Sequence, residues 1–382
     1  MDLRYGMNPR QRARIAGDSA AHVRVLHGSG SMINYLDALN AWQLVAEARR
    51  ATGAVAAASF KHVSPAGAAL NGVLDDTVRT VWGLGSASLG SLAAAYVRAR
   101  DADPRSSYGD MIAVSEPVDE ELADLLATVV SDGIIAPGYA PGVVAKLGRK
   151  KAGRYLVFEM DPDYCPPAVE MRTVFGVALE QDRDREPITA DLLRSVQGPA
   201  LTDAASTDAV LGMIVARYTQ SNSVVFVRDG MTVGVGAGQQ SRVDCTQLAG
   251  NKARTWWLRR HPGIRDLPLP SGLPPQQRVN WQIALASDTL TATQRDELAG
   301  LLPRPHTLPD NRERARWSRE LTGITLVSDG YLPFRDNIDV AAEYGVTLVV
   351  EPGGALRGDT IADACREHRI ALARTDLRLF HH

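Results

Sequence analysis

Apolar positions along this chain follow two rhythms. Short unbroken apolar runs read as buried strands, and longer stretches with apolar residues three and four apart read as amphipathic helices. Residues 35–52 carry Leu36, Leu39, Trp42, Leu44 and Val45 at helical spacing, with Gly53 as a stop. The small apolar run 54–58 then predicts a buried strand that continues through Ser59 and Phe60 to Lys61 and His62, where Pro65 and Gly67 end it. Residues 88–100 predict an Ala-rich helix, and Asp103-Pro104 a turn leading into Ser106–Asp110. Met111–Val114 and Gly133–Ala136 read as short strands on either side of an amphipathic helix over 119–130. Helices alternating with short apolar strands predict an α/β layered domain.

The pattern breaks at 161–168 (DPDYCPPA), which is read as a boundary, and 169–200 shows no periodicity. A helix is expected over 203–218. Beyond it, Val224–Val227 and Thr232–Val235 flank Arg228-Asp229-Gly230-Met231, and Asp-Gly between β-branched runs predicts a hairpin. A Gly-rich loop, 236–242, leaves the second strand, and 251–262 is helical and aromatic. The Pro-rich stretch 264–312 holds helices near 275–286 and 292–301. Strands at 324–328, 346–350 and 370–374 alternate with helices at 338–344 and 358–367. Both halves share a plan of helix, strand and polar strand-end turn, which suggests a structural duplication.

Composition narrows the class. With 45% hydrophobic and 23% charged residues the chain is globular and long enough for two domains. A net charge of -2 argues against a general nucleic-acid binder. Cys165, Cys245 and Cys365 are scattered and odd in number, without Cys-x-x-Cys, so neither a disulfide framework nor a zinc site is expected and a reducing compartment fits. No run approaches the roughly 18 apolar residues of a membrane span. The polar start, MDLRYGMNPRQRAR, predicts no signal peptide, and a cytoplasmic protein is expected.

Lys61-His62 at a strand end is a candidate proton-transfer pair. An imidazole exchanges protons near neutral pH, and an adjacent ammonium stabilises developing negative charge. A lone His is more often structural, however. Gly234, Gly236 and Gly238 mimic a dinucleotide loop, but they lie in a hairpin and its exit, with no βαβ unit following. Deaminase zinc motifs, a Walker loop and a hydrolase elbow are absent. Arg4 and Arg378, near opposite termini, suit phosphate recognition if not simply solvated. Tyr108, Tyr331 and Phe334 stand in Gly/Pro-rich turns, where aromatics can face a ligand, although core packing is the default.

These stretches together resemble a known family. LRYGMNPRQ at 3–11, SFKHVSPAGAA at 59–69, SSYGDMIAVSE at 106–116 and SDGIIAPGY at 131–139 carry the resemblance. So do YTQSNSV at 218–224, GVGAGQQSRVDCTQLAGNKA at 234–253, PFRDN at 333–337 and the terminal LRLFHH. All resemble the transformylase half of the bifunctional enzymes that formylate 5-aminoimidazole-4-carboxamide ribonucleotide (AICAR) and cyclise the product to IMP. The cyclohydrolase domain of those enzymes has no counterpart here, so a free-standing transformylase, with a separate IMP cyclohydrolase, is expected.

The resemblance implies two cytidine-deaminase-like three-layer α/β subdomains without the deaminase zinc. The first would span 1–167 with 260–322 packed on it, the second 168–259 plus 323–382. It also implies a homodimer with active sites at the interface and 10-formyltetrahydrofolate as co-substrate. Lys61, His62 and Asn222 would be catalytic. Arg4, Tyr5 and Arg378 would hold the 5′-phosphate, Asp132 the ribose, and Gly109 and Tyr331 the base. Tyr108, Arg242, Val243, Asn280, Pro333, Phe334 and Asp336 would border the folate. Tyr108 and Tyr331 stand where animal members carry Phe, and Arg105 where they carry Met. Two other readings fit the same residues: a relative that formylates another amine, and a nucleotide- or folate-binding protein without turnover.

Overall fold

The computed structural model describes residues 1–17, 21–303 and 307–382; residues 304–306 of the Pro-rich segment lie outside them. Its first six strands precede residue 168: β1 (Val23–His27), β2 (Ala56–Lys61), β3 (Ser64–Leu70), β4 (Asp110–Val114), β5 (Ser131–Ala136) and β6 (Leu156–Met160). A separate hairpin follows, β7 (Val169–Val174) and β8 (Val177–Asp182). The remaining strands are β9 (Val196–Gln197), β10 (Val224–Arg228), β11 (Met231–Gly236), β12 (Ile324–Ser328), β13 (Val346–Glu351) and β14 (Ala371–Arg374).

Twelve strands form one sheet, in the order β1-β6-β5-β4-β2-β3-β11-β10-β12-β13-β14-β9. Read outward from the centre, the two halves are the same ladder. Each has an antiparallel hairpin (β2/β3, β10/β11), an antiparallel step (β2 to β4, β10 to β12), two parallel pairings and an antiparallel edge strand. The halves meet where Met231 pairs with Ala69. This is the α/β class expected, with two units of the cytidine-deaminase-like plan sharing a sheet.

Helices cover both faces. Met32–Thr52 and Asp203–Arg217 pack on one, over a core containing Phe60, Phe158 and Leu211. Ser91–Ala102, Glu120–Thr128, Arg242–Leu258 and Gly358–Glu367 pack on the other, over Tyr96, Ile134, Phe226 and Leu326. Both cores draw on both halves of the chain. Helices Pro275–Ala286 and Asn311–Arg319 enclose a third, smaller core and touch Arg242–Leu258; Pro275–Ala286 also touches Asp76–Trp82 of the first half.

Two sequence expectations are corrected. Pro65 and Gly67 do not end strand pairing; they lie inside β3. The β2/β3 register shifts between Ser59 and Phe60, and such a bulge tolerates a proline that has no N–H for the ladder. The stretch 169–200 is not irregular throughout, because it contains β7/β8. That ribbon exposes both its faces, so it lacks the polar/apolar alternation by which a strand is read. The Asp229-Gly230 turn forms as expected, with φ of 53° and 73°, the two positive values a type I′ turn needs.

Candidate active site

The Lys61-His62 pair sits where β2 turns into β3. Lys61 and Ser64 pair across a two-residue turn, and its central residues, His62 and Val63, have φ of 54° and 61°. Glycine or asparagine usually fills such positions, and a β-branched valine there is a conformational outlier. Residues held this way cost on the order of 1–3 kcal/mol each and persist only where their surroundings over-determine them.

The surroundings are two buried polar side chains of helix Met32–Thr52. Asp37 Oδ1 accepts a hydrogen bond from the Val63 amide at 2.5 Å. Asn40 Nδ2 donates to the Val63 carbonyl at 3.2 Å and to the Tyr218 carbonyl at 3.1 Å. Burial pushes the Asp37 carboxyl above its ordinary range, against the opposing pull of the Val63 amide and of His62. Sequence reasoning missed both residues. Their signal is two polar groups on the buried side of a helix in which Leu36 is exposed.

Lys61 reaches toward β4 and β5. Its ammonium donates to the Tyr108 carbonyl. A Cβ placed on Gly109 would lie 3.8 Å from both Lys61 Nζ and Asp132 Oδ1, so the three residues border one space. Gly109 has φ of 76°, which glycine adopts freely. Beneath this turn, Ser59 Oγ donates to Asp110 Oδ2 at 2.7 Å, and Arg100 pairs with Asp110 at 3.0 Å. Lys151 Nζ, a third residue missed in the sequence, lies 2.5 Å from Asp132 Oδ1. Arg4 and Tyr5 run beside the start of helix Met32–Thr52, where the Met32 amide donates to the Tyr5 carbonyl. Arg4 donates to the Tyr5 hydroxyl at 3.0 Å. Five residues of helix, about 7.5 Å of rise, separate Met32 from Asp37.

A second group gathers at the ends of β10, β11 and β12. The Asn222 amide nitrogen donates to the Gln239 carbonyl at 3.0 Å, and Asn222 Oδ1 accepts from Arg242 at 2.7 Å. Arg242 is buried; it pairs with Asp329 and donates to Ser328 Oγ at 2.9 Å. Val243 follows it in the first turn of helix Arg242–Leu258. The C-terminal tail closes over this cluster. The Ser221 amide donates to the His381 carbonyl at 2.9 Å, and the Leu379 amide to the Asp329 carbonyl at 2.8 Å. Arg378 is exposed, with its guanidinium 4.7 Å from the Phe380 ring centre. Tyr331 and Phe334 are each 51% exposed and Tyr108 47%, so the two added phenol hydroxyls need no buried partners. Pro333 is half-buried, and Asp336 opens helix Asp336–Ala342.

The groups meet at the His62 turn. Besides the Asn40 bridge, the Gln220 amide donates to Ser64 Oγ at 3.5 Å, two residues before Asn222. Asn280 stands apart, on helix Pro275–Ala286. It is tied to the Tyr108 loop through Gln276, which donates to Asn280 Oδ1 at 3.1 Å and to the Pro104 carbonyl at 3.4 Å. A cleft of about 310 Å³ lined by Asp75, Arg228, Trp256, Trp257 and Arg260 contains none of these residues. Among the described residues, no three His, Cys, Asp or Glu side chains stand together as a metal site. No helix there is long and apolar enough to cross a membrane.

Comparison with known proteins shows the family of the chain. The chain is 31% identical over 388 aligned residues to the bifunctional purine biosynthesis protein PurH of Roseobacter denitrificans and of Cereibacter sphaeroides. It is 30% identical to the protein of the same name from Ruegeria pomeroyi. Each alignment covers 100% of this chain, which spans 59% of the relatives' length. Residues 1–252 match the family described as AICARFT/IMPCHase bienzyme, and the chain therefore belongs to that family.

Proposed function

We propose that this protein acts in purine biosynthesis and transfers the formyl group of 10-formyltetrahydrofolate to the 5-amino group of AICAR. The observation that carries this reading is the shared space bordered by Lys61, Gly109 and Asp132 beside the His62 turn. The AICAR amine is a weak nucleophile, because its lone pair delocalises into the ring and carboxamide. Its nitrogen attacks the formyl carbon while His62 takes its proton. Lys61 stabilises the oxyanion that forms. The bond from the formyl carbon to N10 then breaks, N10 takes up a proton, and tetrahydrofolate leaves.

By resemblance, Asn222 orients the amine or the formyl oxygen, and a free amide would require it to release the Gln239 or Arg242 bond it makes here. Arg4, Tyr5 and Arg378 hold the phosphate, Asp132 the ribose, and Gly109 and Tyr331 the base. Tyr108, Arg242, Val243, Asn280, Pro333, Phe334 and Asp336 border the folate. Arg242 does so from a buried ion pair, and so from behind Asn222. The two subdomains, 1–167 with 260–322 and 168–259 plus 323–382, meet at β3/β11, and the active protein is a homodimer. The β7/β8 ribbon supports the dimer, since Met171, Val174, Phe175, Val177 and Leu179 all stand exposed on it. The formylated product is the substrate for ring closure, so an IMP cyclohydrolase is the partner activity this reading calls for.

The test is to incubate the protein with AICAR and 10-formyltetrahydrofolate and follow tetrahydrofolate release. Turnover is expected, and His62→Ala should abolish it while AICAR still binds. No release at micromolar protein overturns the reading. Release with another amine in place of AICAR shows a different acceptor, and folate or nucleotide binding without release shows a binding protein.

A further inference from the structure

We propose that Asp37 and Asn40 are positioning residues that hold the His62 imidazole in register with the Asn222 segment, an inference that rests on the formyltransferase reading above. The two lie three residues apart on helix Met32–Thr52, where side chains share a face. They are 7% and 6% exposed. Buried polar groups find partners, and on a helix the nearest acceptors are carbonyls one turn away. The Asn40 amide does not use them. Asp37 takes the Val63 amide, and Asn40 takes the carbonyls of Val63 and Tyr218.

The turn they grip is one the chain would not adopt alone. Two successive non-glycine residues with positive φ place the His62 side chain, and the flanking strand pairs fix only Lys61 and Ser64. Asp37 and Asn40 hold the turn from behind, on the amide and the carbonyl of the same residue. Asn40 also carries the register across the molecule, because its second bond reaches the chain four residues before Asn222. Helix Met32–Thr52 grips that chain again two turns further on. There Glu47 accepts from Arg217 at 2.6 Å and from the Tyr218 hydroxyl at 2.7 Å. One rigid helix thus sets the distance between the base and the amide-bearing segment. Such placement governs rate more than binding, since a displacement of about 1 Å at a reacting centre can cost on the order of 100-fold.

Steady-state kinetics of the full chain test this. Asp37→Ala and Asn40→Ala should each lower kcat about 100-fold, with KM for AICAR and for the folate unchanged. Asp37→Asn keeps an oxygen for the Val63 amide and should recover most of what Asp37→Ala loses. Wild-type kcat in both alanine variants, or a loss confined to KM, overturns the proposal. Hydrogen exchange at the Val63 amide gives a readout independent of turnover and needs no variant to fold. The amide should be protected in the wild-type protein and in Asp37→Asn, and exposed in Asp37→Ala. Fast exchange of Val63 in the wild-type protein overturns the clamp. Absence of formyl transfer by the wild-type protein defeats the formyltransferase reading instead, and Val63 exchange then decides the clamp alone.

Discussion

Asp208 shows how one buried carboxyl couples a turn to pH. It is 3% exposed on helix Asp203–Arg217, and its two oxygens accept the Asp229 and Gly230 amides of the β10/β11 turn at 3.0 and 2.6 Å. Burial nonetheless pushes its pKa up to about 6, the two amides pulling the other way. An unfolded chain releases this proton near pH 4, while the folded protein holds it to about 6. Stability from this group is therefore full at low pH and is lost as pH rises from about 4 to about 6, by about 3 kcal/mol. Asp208→Asn imitates the protonated form. The stability advantage of wild type over this variant, from urea midpoints between pH 4 and 7, should shrink as pH rises. A constant difference across that range would remove Asp208 as the source. At the candidate site, Lys61, His62, Gly109 and Asp132 could be named from motifs. Asp37 and Asn40 could not, because their partners are 26 and 178 residues away, and the helical pattern records only that they face inward.

At the level of elements, glycines decide how close the helices come. A Cβ on Gly234 would collide with the Ala249 carbonyl and stand 3.2 Å from the Ala253 amide, and one on Gly236 would collide with the Cys245 carbonyl. Gly67 of β3 meets the Ala99 carbonyl in the same way. The Gly-x-Gly-x-Gly run that imitates a phosphate loop in the sequence thus lets helix Arg242–Leu258 lie backbone to backbone on β11. That helix carries Arg242 behind Asn222, so its depth sets the site. Gly234→Ala should lift it and destabilise the protein by about 1–3 kcal/mol, measured as a lower urea midpoint. Full stability with an unmoved helix would show the contact to be slack. Strands with a buried, β-branched run were legible in the sequence, as at β10, β12 and β13. Pro65 in β3 and the two-sided exposure of β7/β8 were not, because bulges and solvent-facing ribbons break the rules by which strands are read.

For the molecule as a whole, the repeated ladder places β3 and β11 side by side at the centre, joined by the single pairing of Met231 and Ala69. Charge reinforces the join. Arg259 and Arg260, which follow helix Arg242–Leu258, both pair with buried Asp101 of the first half, at 2.8 and 2.7 Å. Breaking such a pair strands a buried charge, which typically costs about 3–5 kcal/mol. The β7/β8 ribbon is the exception to this compactness; its middle is tied to the tail by an Arg172 bond to the His382 carbonyl at 2.5 Å. As the proposed dimer arm, it should make light scattering report twice the chain mass of 41.2 kDa. Phe175→Asp with Leu179→Asp should shift the population toward monomer. A wild-type species at 41.2 kDa would count against the dimer.

The sequence by itself determined most of the buried helices and strands and the identity of the motifs, because helix and strand periodicity, Asp-Gly turn chemistry and short runs of reactive residues are local. It also suggested the duplication, since each half carries its own helix, strand and strand-end turn. Only the tertiary structure decided which motifs meet. The His62 turn lies against residues 218–222 because β3 pairs with β11 and helix Met32–Thr52 spans both halves. Such a juxtaposition depends on sheet order and on buried hydrogen bonds between residues far apart in the chain, and neither leaves a periodic trace in it.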